Sequence, residues 1–498
     1  MGLLQLWANR DTQQAFYLIG GLEPTLKLHP PHLLLFALAT PVITSTAIGL
    51  PVVKDTASLT GRTSWAGVQE IQLGKGIAIR PDSPLRLESA LGGHARSAIA
   101  DDPMGTITMQ QWKGHIRSVI RSPKHGTFLI KTTPLGKTTV IELDPSTLVG
   151  CEADSVLPPA TDGDVGSGGN PTPPPAGGDA PETDGDAPEG DSGGVVDVLV
   201  VYTPSARINA GSNDAMETAI HGWVNESNDV YRDSDTATRI RLVGTAETNH
   251  VDSGSLSLHL SRLAGTSDGY MDEIHALRTT TGADVVALII TNGTSCGQAY
   301  TIKNSVTGSP TTAFAVVRDY CADVQFSFVH EIGHVMGCCH DFDHPGSCAG
   351  GNSLYPESFG HRFVGDTNNW RTVMAYTDSS SDPWTPLISY TRVGHFSNPD
   401  IDFDNEPTGH ATADNAASLD SMRSITASYR TAITPITCPG DLGEDAIVGV
   451  SDLLDLLGYW GAIQPAVEGS LRADLNGDAE VDSSDLFVLL AEFGPCPG

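Results

Sequence analysis

Apolar and polar positions fall into three regimes along the chain. From residue 195 onward, strand-like and helix-like patterns alternate. VVDVLVVYT (195–203) is an apolar run of strand length. DAMETAIHGWVNESNDVYR (214–232) places Met216, Ile220, Trp223, Val224 and Val230 at helical spacing. RIRLVGTAE (239–247) alternates as a strand, YMDEIHALRTTTG (270–282) predicts a helix ending at Gly282, and ADVVALII (283–290) and TAFAVV (312–317) predict buried strands. Val324, Phe328, Val329, Ile332, Val335 and Met336 mark one helix stopping near Gly337, and a last helix spans about 413–430. Strands alternating with helices predict one α/β (α+β) domain over 195–434 with a loop-rich second half.

Before that domain the pattern differs. Residues 51–151 hold short alternating runs, GKGIAIRP, GTFLIKTT and KTTVIELDP, broken by turn residues, which predicts a small β-rich unit. Residues 152–194 have almost nothing apolar to bury and are rich in Pro, Gly and acid, as in an extended tether. After the domain, 437–498 is an internal repeat: DLGEDAIVGVSDLLDLLGYWG (441–461) matches DLNGDAEVDSSDLFVLLAEFG (474–494). Each copy is an acidic loop followed by a Leu-rich amphipathic helix.

Charge changes the picture in one respect. The formal net charge is −32, which argues against a nucleic-acid partner because phosphate would be repelled. Residues 152–192 contribute −10 and 437–498 contribute −11, so about two thirds of the excess lies outside the central domain. The eight cysteines, Cys151, Cys296, Cys321, Cys338, Cys339, Cys348, Cys438 and Cys496, fit disulfides and an oxidising compartment. The expected pairs are Cys296–Cys321, Cys348 with Cys338 or Cys339, and Cys438–Cys496. HLLLFALATPVITSTAIG (32–49), with small residues around Ser45 and Ala47, matches a secretory core and cleavage site within a signal region at 1–50. The alternative is a membrane anchor, although Pro41 interrupts a stretch already short for a span.

The chemistry concentrates in HEIGHVMGCCHD, residues 330–341. On a helix, His330 and His334 lie on one face a turn apart. Gly337 can take the left-handed conformation that ends the helix, so the chain turns back and His340 supplies a third nitrogen. Zinc held by three protein ligands keeps one position for water. Glu331, beside the first histidine, then serves as general base. A purely structural zinc site would have no use for that glutamate. Downstream, WRTVMAYT (370–377) holds Met374 where a methionine turn under a zinc site would lie.

Over about 195–432 the chain resembles the reprolysin-like metzincin zinc metallopeptidases, closest to bacterial secreted members that include the peptidyl-Asp metalloendopeptidases. The resemblance rests on VDVLVVYTPSAR, WVNESNDVY, RIRLV, GADVVALII, CGQAY, the histidine motif, TVMAYT and FSNPDIDFDNEPTG. It implies a metzincin-type zincin fold with His330, His334 and His340 on zinc, Glu331 as base and Met374 as the turn residue. It also implies that Asp341 braces the domain. Tyr376, two residues after Met374, matches the position of an oxyanion-stabilising tyrosine in astacins and serralysins; a packed core tyrosine is the alternative. An acidic substrate side chain would need a basic pocket, for which Arg371 or Arg318 is available. Residues 51–151 then stand as a propeptide of a zymogen. Cys151 is either a cysteine switch on the zinc or a disulfide partner of Cys338 or Cys339.

In the tail, Asp474, Asn476, Asp478, Glu480, Asp482 and Asp485 follow EF-hand-type calcium spacing, with Glu480 offering its carbonyl. The first loop keeps only Asp441, Asp445 and Asp452. Two such units resemble a dockerin domain, a small α-helical EF-hand-like module that implies calcium and a cohesin-like or cell-surface scaffold partner. The expected activity is secreted, zinc-dependent endopeptidase hydrolysis of proteins or peptides. The alternative is an inactive surface-attached binding or adhesion protein on the same scaffold.

Overall fold

A computed structural model describes residues 52–60, 70–74, 77–85, 92–144, 194–303, 309–366, 368–377, 388–432, 440, 442, 447–462, 473, 475, 480–491 and 493–495, all within one compact unit spanning Ala47–Gly498. The signal region, the acidic tether, Cys151, Cys438, Cys496, and the loop residues Asp441, Asp445, Asp474, Asn476 and Asp478 lie outside the described residues.

The first part is an antiparallel sheet of six strands. Its members are β1 (Val52–Thr60), β4 (Gly92–Ile99), β5 (Asp102–Trp112), β6 (His115–Ser122), β7 (Gly126–Thr132) and β8 (Lys137–Asp144). Their order is β1-β8-β7-β6-β5-β4, and β2 (Ile71–Gly74) and β3 (Ile77–Ile79) form a separate two-stranded hairpin that packs on this sheet. One face buries Ile107, Met109, Ile120, Phe128, Ile130 and Val140 around Ile79 and Leu85. The opposite face carries Val119, Leu129 and Leu143, which pack onto the next domain. Alternation along these strands therefore serves two separate contacts.

The central domain is built on a second sheet. Its strands are β9 (Val195–Tyr202), β10 (Arg239–Glu247), β11 (Val285–Ile290), β12 (Gly297–Ala299) and β13 (Phe314–Arg318), in the order β10-β9-β11-β13-β12. All neighbours are parallel except β12, which runs antiparallel to β13 at the edge. Both faces of β9 and β11 are buried, which is why their sequences are continuous apolar runs. Helix α1 (Pro204–Ala210) leads into α2 (Asn213–Asp233), whose Trp223 and Val230 cover one face. Helices α3 (Leu256–Ala264) and α4 (Asp272–Thr281) contribute Leu256, Leu260 and Ile274 to the other.

The single helix expected around Val324–Met336 is two. Helix α5 (Asp319–Val324) ends at Gln325, and α6 (Ser327–Val335) begins after Phe326, whose φ of 52° is left-handed. Val324 accordingly belongs to α5 and packs beneath the first sheet rather than on the face of α6. The period of apolar residues continues across the break, so the pattern alone hides it.

After α6, short strands organise the loops. They are β14 (Cys339–Asp341), β15 (Phe359–Gly360), β16 (Arg362–Val364), β17 (Asn369–Arg371), β18 (Thr391–Arg392), β19 (Asp402–Phe403) and β20 (Glu406–Pro407), followed by α7 (Asn415–Thr426). Disulfides join Cys296 to Cys321 and Cys339 to Cys348, while Cys338 is buried and forms no disulfide among the described residues.

The repeat at the end of the chain folds as β21 (Ile447–Val448), α8 (Val450–Gly458), β22 (Gly461–Ala462), β23 (Glu480–Val481), α9 (Ser483–Ala491) and β24 (Gly494–Pro495). Val448 pairs with Gly494, and its repeat counterpart Val481 pairs with Gly461. This reciprocal swap gives the two copies a pseudo-twofold relation around Leu456 and Leu489. No helix among the described residues is long and apolar enough to cross a membrane.

Candidate active site and metal centre

Helix α6 sets the site. His330 and His334 project from it one turn apart, with ring centroids 4.8 Å from each other. Gly337, at φ +87°, ends the helix, and the N–H of Cys338 returns to Gly333 O at 2.9 Å. A side chain at 337 would be strained by that φ and would meet Leu354 Cδ2 at 2.7 Å. The reversal carries the chain into β14 and brings in His340. Its Nε2 lies 3.2 Å from His330 Nε2 and 2.9 Å from His334 Nε2.

The backbone fixes the tautomers of the first two rings. His330 Nδ1 donates to Val373 O and His334 Nδ1 donates to Cys338 O, each at 2.8 Å. Each Nε2 is left with a lone pair facing the other rings. Burial holds all three imidazoles neutral: it pushes His334 down to about 4, and burial followed by the neighbouring His334 pushes His330 and His340 well below the usual value. The charge of Arg392 adds to the depression at all three. Two lone pairs and the Nε2 of His340 thus converge in a buried space with no carboxylate or carbonyl between them. The set fits zinc, and among the described residues it is the one group of three or more His, Cys, Asp or Glu placed to hold a metal ion.

Glu331 is fully buried and leans on the sheet edge. A Cβ at Gly297 would collide with the Glu331 carboxylate, so only glycine lets β12 pass this close. Spacing alone did not single out Gly297; the CGQAY stretch was the signal. The outer side of β12 pairs with no described strand.

Met374 is fully buried against the helix at Gly333, in a turn closed by Ala375 N–H donating to Thr372 O at 3.1 Å. Asp341 fastens the third-histidine segment to this turn. It accepts from Tyr376 N at 2.8 Å and pairs with His344 Nδ1 at 3.0 Å and Arg362 Nη2 at 3.4 Å. The Tyr376 ring lies 4.1 Å from the His340 ring, beside the metal ligands, and also joins the apolar cluster under the first sheet. Both roles considered for Tyr376 thus have a geometric basis.

The two basic candidates separate. Arg318 lies on the sheet face opposite α6, next to Leu256, and its Nη1 and Nη2 atoms have no partner. Arg371 lies behind the methionine turn and donates to Ala375 O.

Sequence reasoning missed the seam between the first sheet and the catalytic domain. Arg117 of β6 forms a buried ion pair with Asp323 of α5. Arg121 donates to Glu226 Oε2 at 2.9 Å and to Asp323 O, and its guanidinium lies 4.1 Å from the Phe326 ring centroid. Trp223 Nε1 donates to Asp323 Oδ1 at 2.7 Å. His94 contacts Asp229 at 2.8 Å, and Trp112 lies on His221 with ring centroids 3.9 Å apart. Burial, partly offset by Arg121, pushes Glu226 up to about 7. Val119, Leu129 and Leu143 meet the Cys296–Cys321 disulfide and Tyr376, and Met104 meets Trp370 and Val393. The sheet thus touches both the Tyr376 side and the β17–β18 side of the site. No local pattern signals such a contact between segments some 200 residues apart.

In the tail, the described loop carboxylates bond to their own backbone. Asp452 accepts from Gly449 N at 2.8 Å; Asp485 accepts from Leu475 N at 2.7 Å and Asp482 N at 2.8 Å.

The geometry agrees with what similarity finds. Residues 193–402 match the model of metallo-peptidase family M12B, reprolysin-like. The chain is 39% identical over 237 residues to a peptidyl-Asp metalloendopeptidase of Stenotrophomonas maltophilia strain K279a, covering 47% of this chain and 52% of that protein. It is 35% identical over 234 residues to one from Xanthomonas campestris pv. campestris, covering 47% and 51%. It is 28% identical over 207 residues to one from Pseudomonas fragi, covering 41% of this chain and 100% of that protein. The chain spans about half the length of the first two relatives. Over residues 193–402 the chain carries a reprolysin-like domain of metallopeptidase family M12B.

Proposed function

We propose that this chain is a secreted zinc metalloendopeptidase made as a latent precursor. One observation carries the reading: three Nε2 atoms converge beside a buried glutamate that presses on the edge strand β12, whose outer side pairs with no described strand. When bound there, zinc would polarise a peptide carbonyl and make water acidic enough to lose a proton near neutral pH. His330, His334 and His340 would hold the ion, with the first two rings oriented by Val373 O and Cys338 O. Strand β12 offers backbone groups along which an extended peptide can lie. Glu331 takes the proton from the attacking water on its carboxylate and delivers it to the departing nitrogen. Tyr376 is the candidate to stabilise the developing oxyanion.

The two disulfides support an oxidising compartment. The relatives' shared name supports endopeptidase activity and suggests a preference for acidic residues. The seam formed by Arg117, Arg121, Val119 and Leu129 supports latency imposed by the first sheet, with Cys151 a further candidate. The C-terminal repeat is proposed as a calcium-binding docking module for a scaffold partner.

The test is cleavage of a mixed peptide library by the full chain after processing, with and without a zinc chelator. Chelator-sensitive internal cleavage is expected. Binding of proteins with no cleavage would favour the adhesion alternative.

A further inference from the structure

We propose that Glu226 is a proton-operated latch: the first sheet stays docked on the catalytic domain while this carboxyl holds its proton, and the grip loosens when the proton leaves. The inference rests on the latency reading above and names what sets and lifts that latency. Glu226 is buried on α2, and its cover comes from across the seam. Arg121 of β6 donates to its Oε2 at 2.9 Å. With His94, Arg117 and Val119 of the sheet and Asp323 of α5, Glu226 also lines a cavity of about 10 Å³. That space has room for about one water, so the carboxyls of Glu226 and Asp323 share almost no solvent.

The two acids are not equally compensated. Asp323 pairs with Arg117 and accepts from Trp223 Nε1 at 2.7 Å. Glu226 relies on Arg121, which also donates to Asp323 O and lies over the Phe326 ring. His94 and Arg96 of β4 face Glu226 as well, but His94 sits 2.8 Å from Asp229 and Arg96 Nη2 donates to Asp233 Oδ1 at 2.6 Å. Ionising Glu226 there is costly, whereas its protonated carboxyl still accepts from Arg121. Burial, opposed by Arg121 and reinforced by Asp323, raises Glu226 from 4.5 to about 7.

The sign follows from what the sheet covers. Without it Glu226 faces water and its carboxyl returns toward 4.5, so docking takes up a proton between that value and about 7. Docking is tightest below the window, weakens up to tenfold for each pH unit within it, and levels off above it. The His94–Asp229 contact works in the same sense, since an imidazole pairs with a carboxylate as an ion only while protonated. Other groups at the seam oppose it. Burial lowers His115 and His221, the latter under Trp112, and pushes Lys131 of β7 down to about 8, so docking sheds their protons. The share of Glu226 is therefore read against a form that cannot titrate at 226.

The experiment cuts the full chain once within 152–194 with an added protease, so that the seam alone holds the sheet to the rest. The Kd of the two pieces is then measured at about pH 5 and about pH 7.5. Glu226→Gln keeps an acceptor for Arg121 and cannot ionise. Between the two conditions the wild-type Kd should rise at least about tenfold relative to that of Glu226→Gln. Glu226→Ala also removes the titrating group and serves the same comparison if the glutamine variant does not fold. An equal pH response in the wild type and the variant, or a wild-type Kd that falls relative to it, would overturn the proposal. Each cut sample is also assayed on a short peptide, and activity should appear in step with dissociation of the sheet. Equal activity of sheet-bound and sheet-free samples would sink the latency reading, and the latch would then regulate nothing even with the Kd shift in place.

Discussion

Two regions of this molecule carry spacings that suggest metal, and they behave differently. At 330–340 the spacing is written on a helix, whose period puts His330 and His334 on one face. One glycine turn then suffices to bring His340 within 3.2 Å of both. At 441–494 the spacing is written on loops. The described acids Asp452 and Asp485 accept from their own loop and helix N–H groups, as caps do. A helical spacing specifies convergence directly, whereas a loop spacing does so only once the loop has its conformation.

The predictions sharpen that contrast. Glu331→Gln should lower kcat by roughly 10³-fold, the scale of general-base loss, while zinc content stays near that of the wild type. Equal loss of metal and activity would mean that Glu331 is structural. Gly297→Ala should cost about 10²-fold in kcat, because its Cβ displaces the Glu331 carboxylate and small misplacements are expensive. A variant as active as the wild type would show that β12 does not hold Glu331 in place.

The next effect is on latency. Breaking a buried charge pair costs about 3–5 kcal/mol. Arg117→Ala with Arg121→Ala should therefore raise the activity of the unprocessed chain tenfold or more, measured on a short peptide before any cleavage in 152–192. Activation by Cys151→Ser alone, with no effect of the arginine pair, would assign latency to a thiol on zinc. The smallest effect concerns the tail: a calcium-selective chelator should leave peptidase activity within about twofold, since zinc sites prefer nitrogen donors and calcium sites oxygen. Complete loss of activity would show that the histidine site depends on the tail.

How much the sequence disclosed follows the same division. The parallel strands were legible because burial on both faces leaves unbroken apolar runs such as Val285–Ile290. The convergence of the three histidines and the turn at Met374 were legible because their spacing is local. The break at Phe326 was not, because a left-handed residue between two helices leaves the apolar period intact. Gly297, Arg392 and the Arg117–Asp323 seam were not, because each acquires its meaning from a partner far along the chain. The cysteine doublet was half legible: one of the two had to bridge Cys348, but only the course of β14 decides that it is Cys339.

The most direct test of the central claim is a zinc titration of metal-stripped, processed protein with activity followed at each addition. The account predicts a linear rise that ends at one zinc per chain, and no recovery in His334→Ala. Full activity in the stripped protein, or full recovery in His334→Ala, would contradict it.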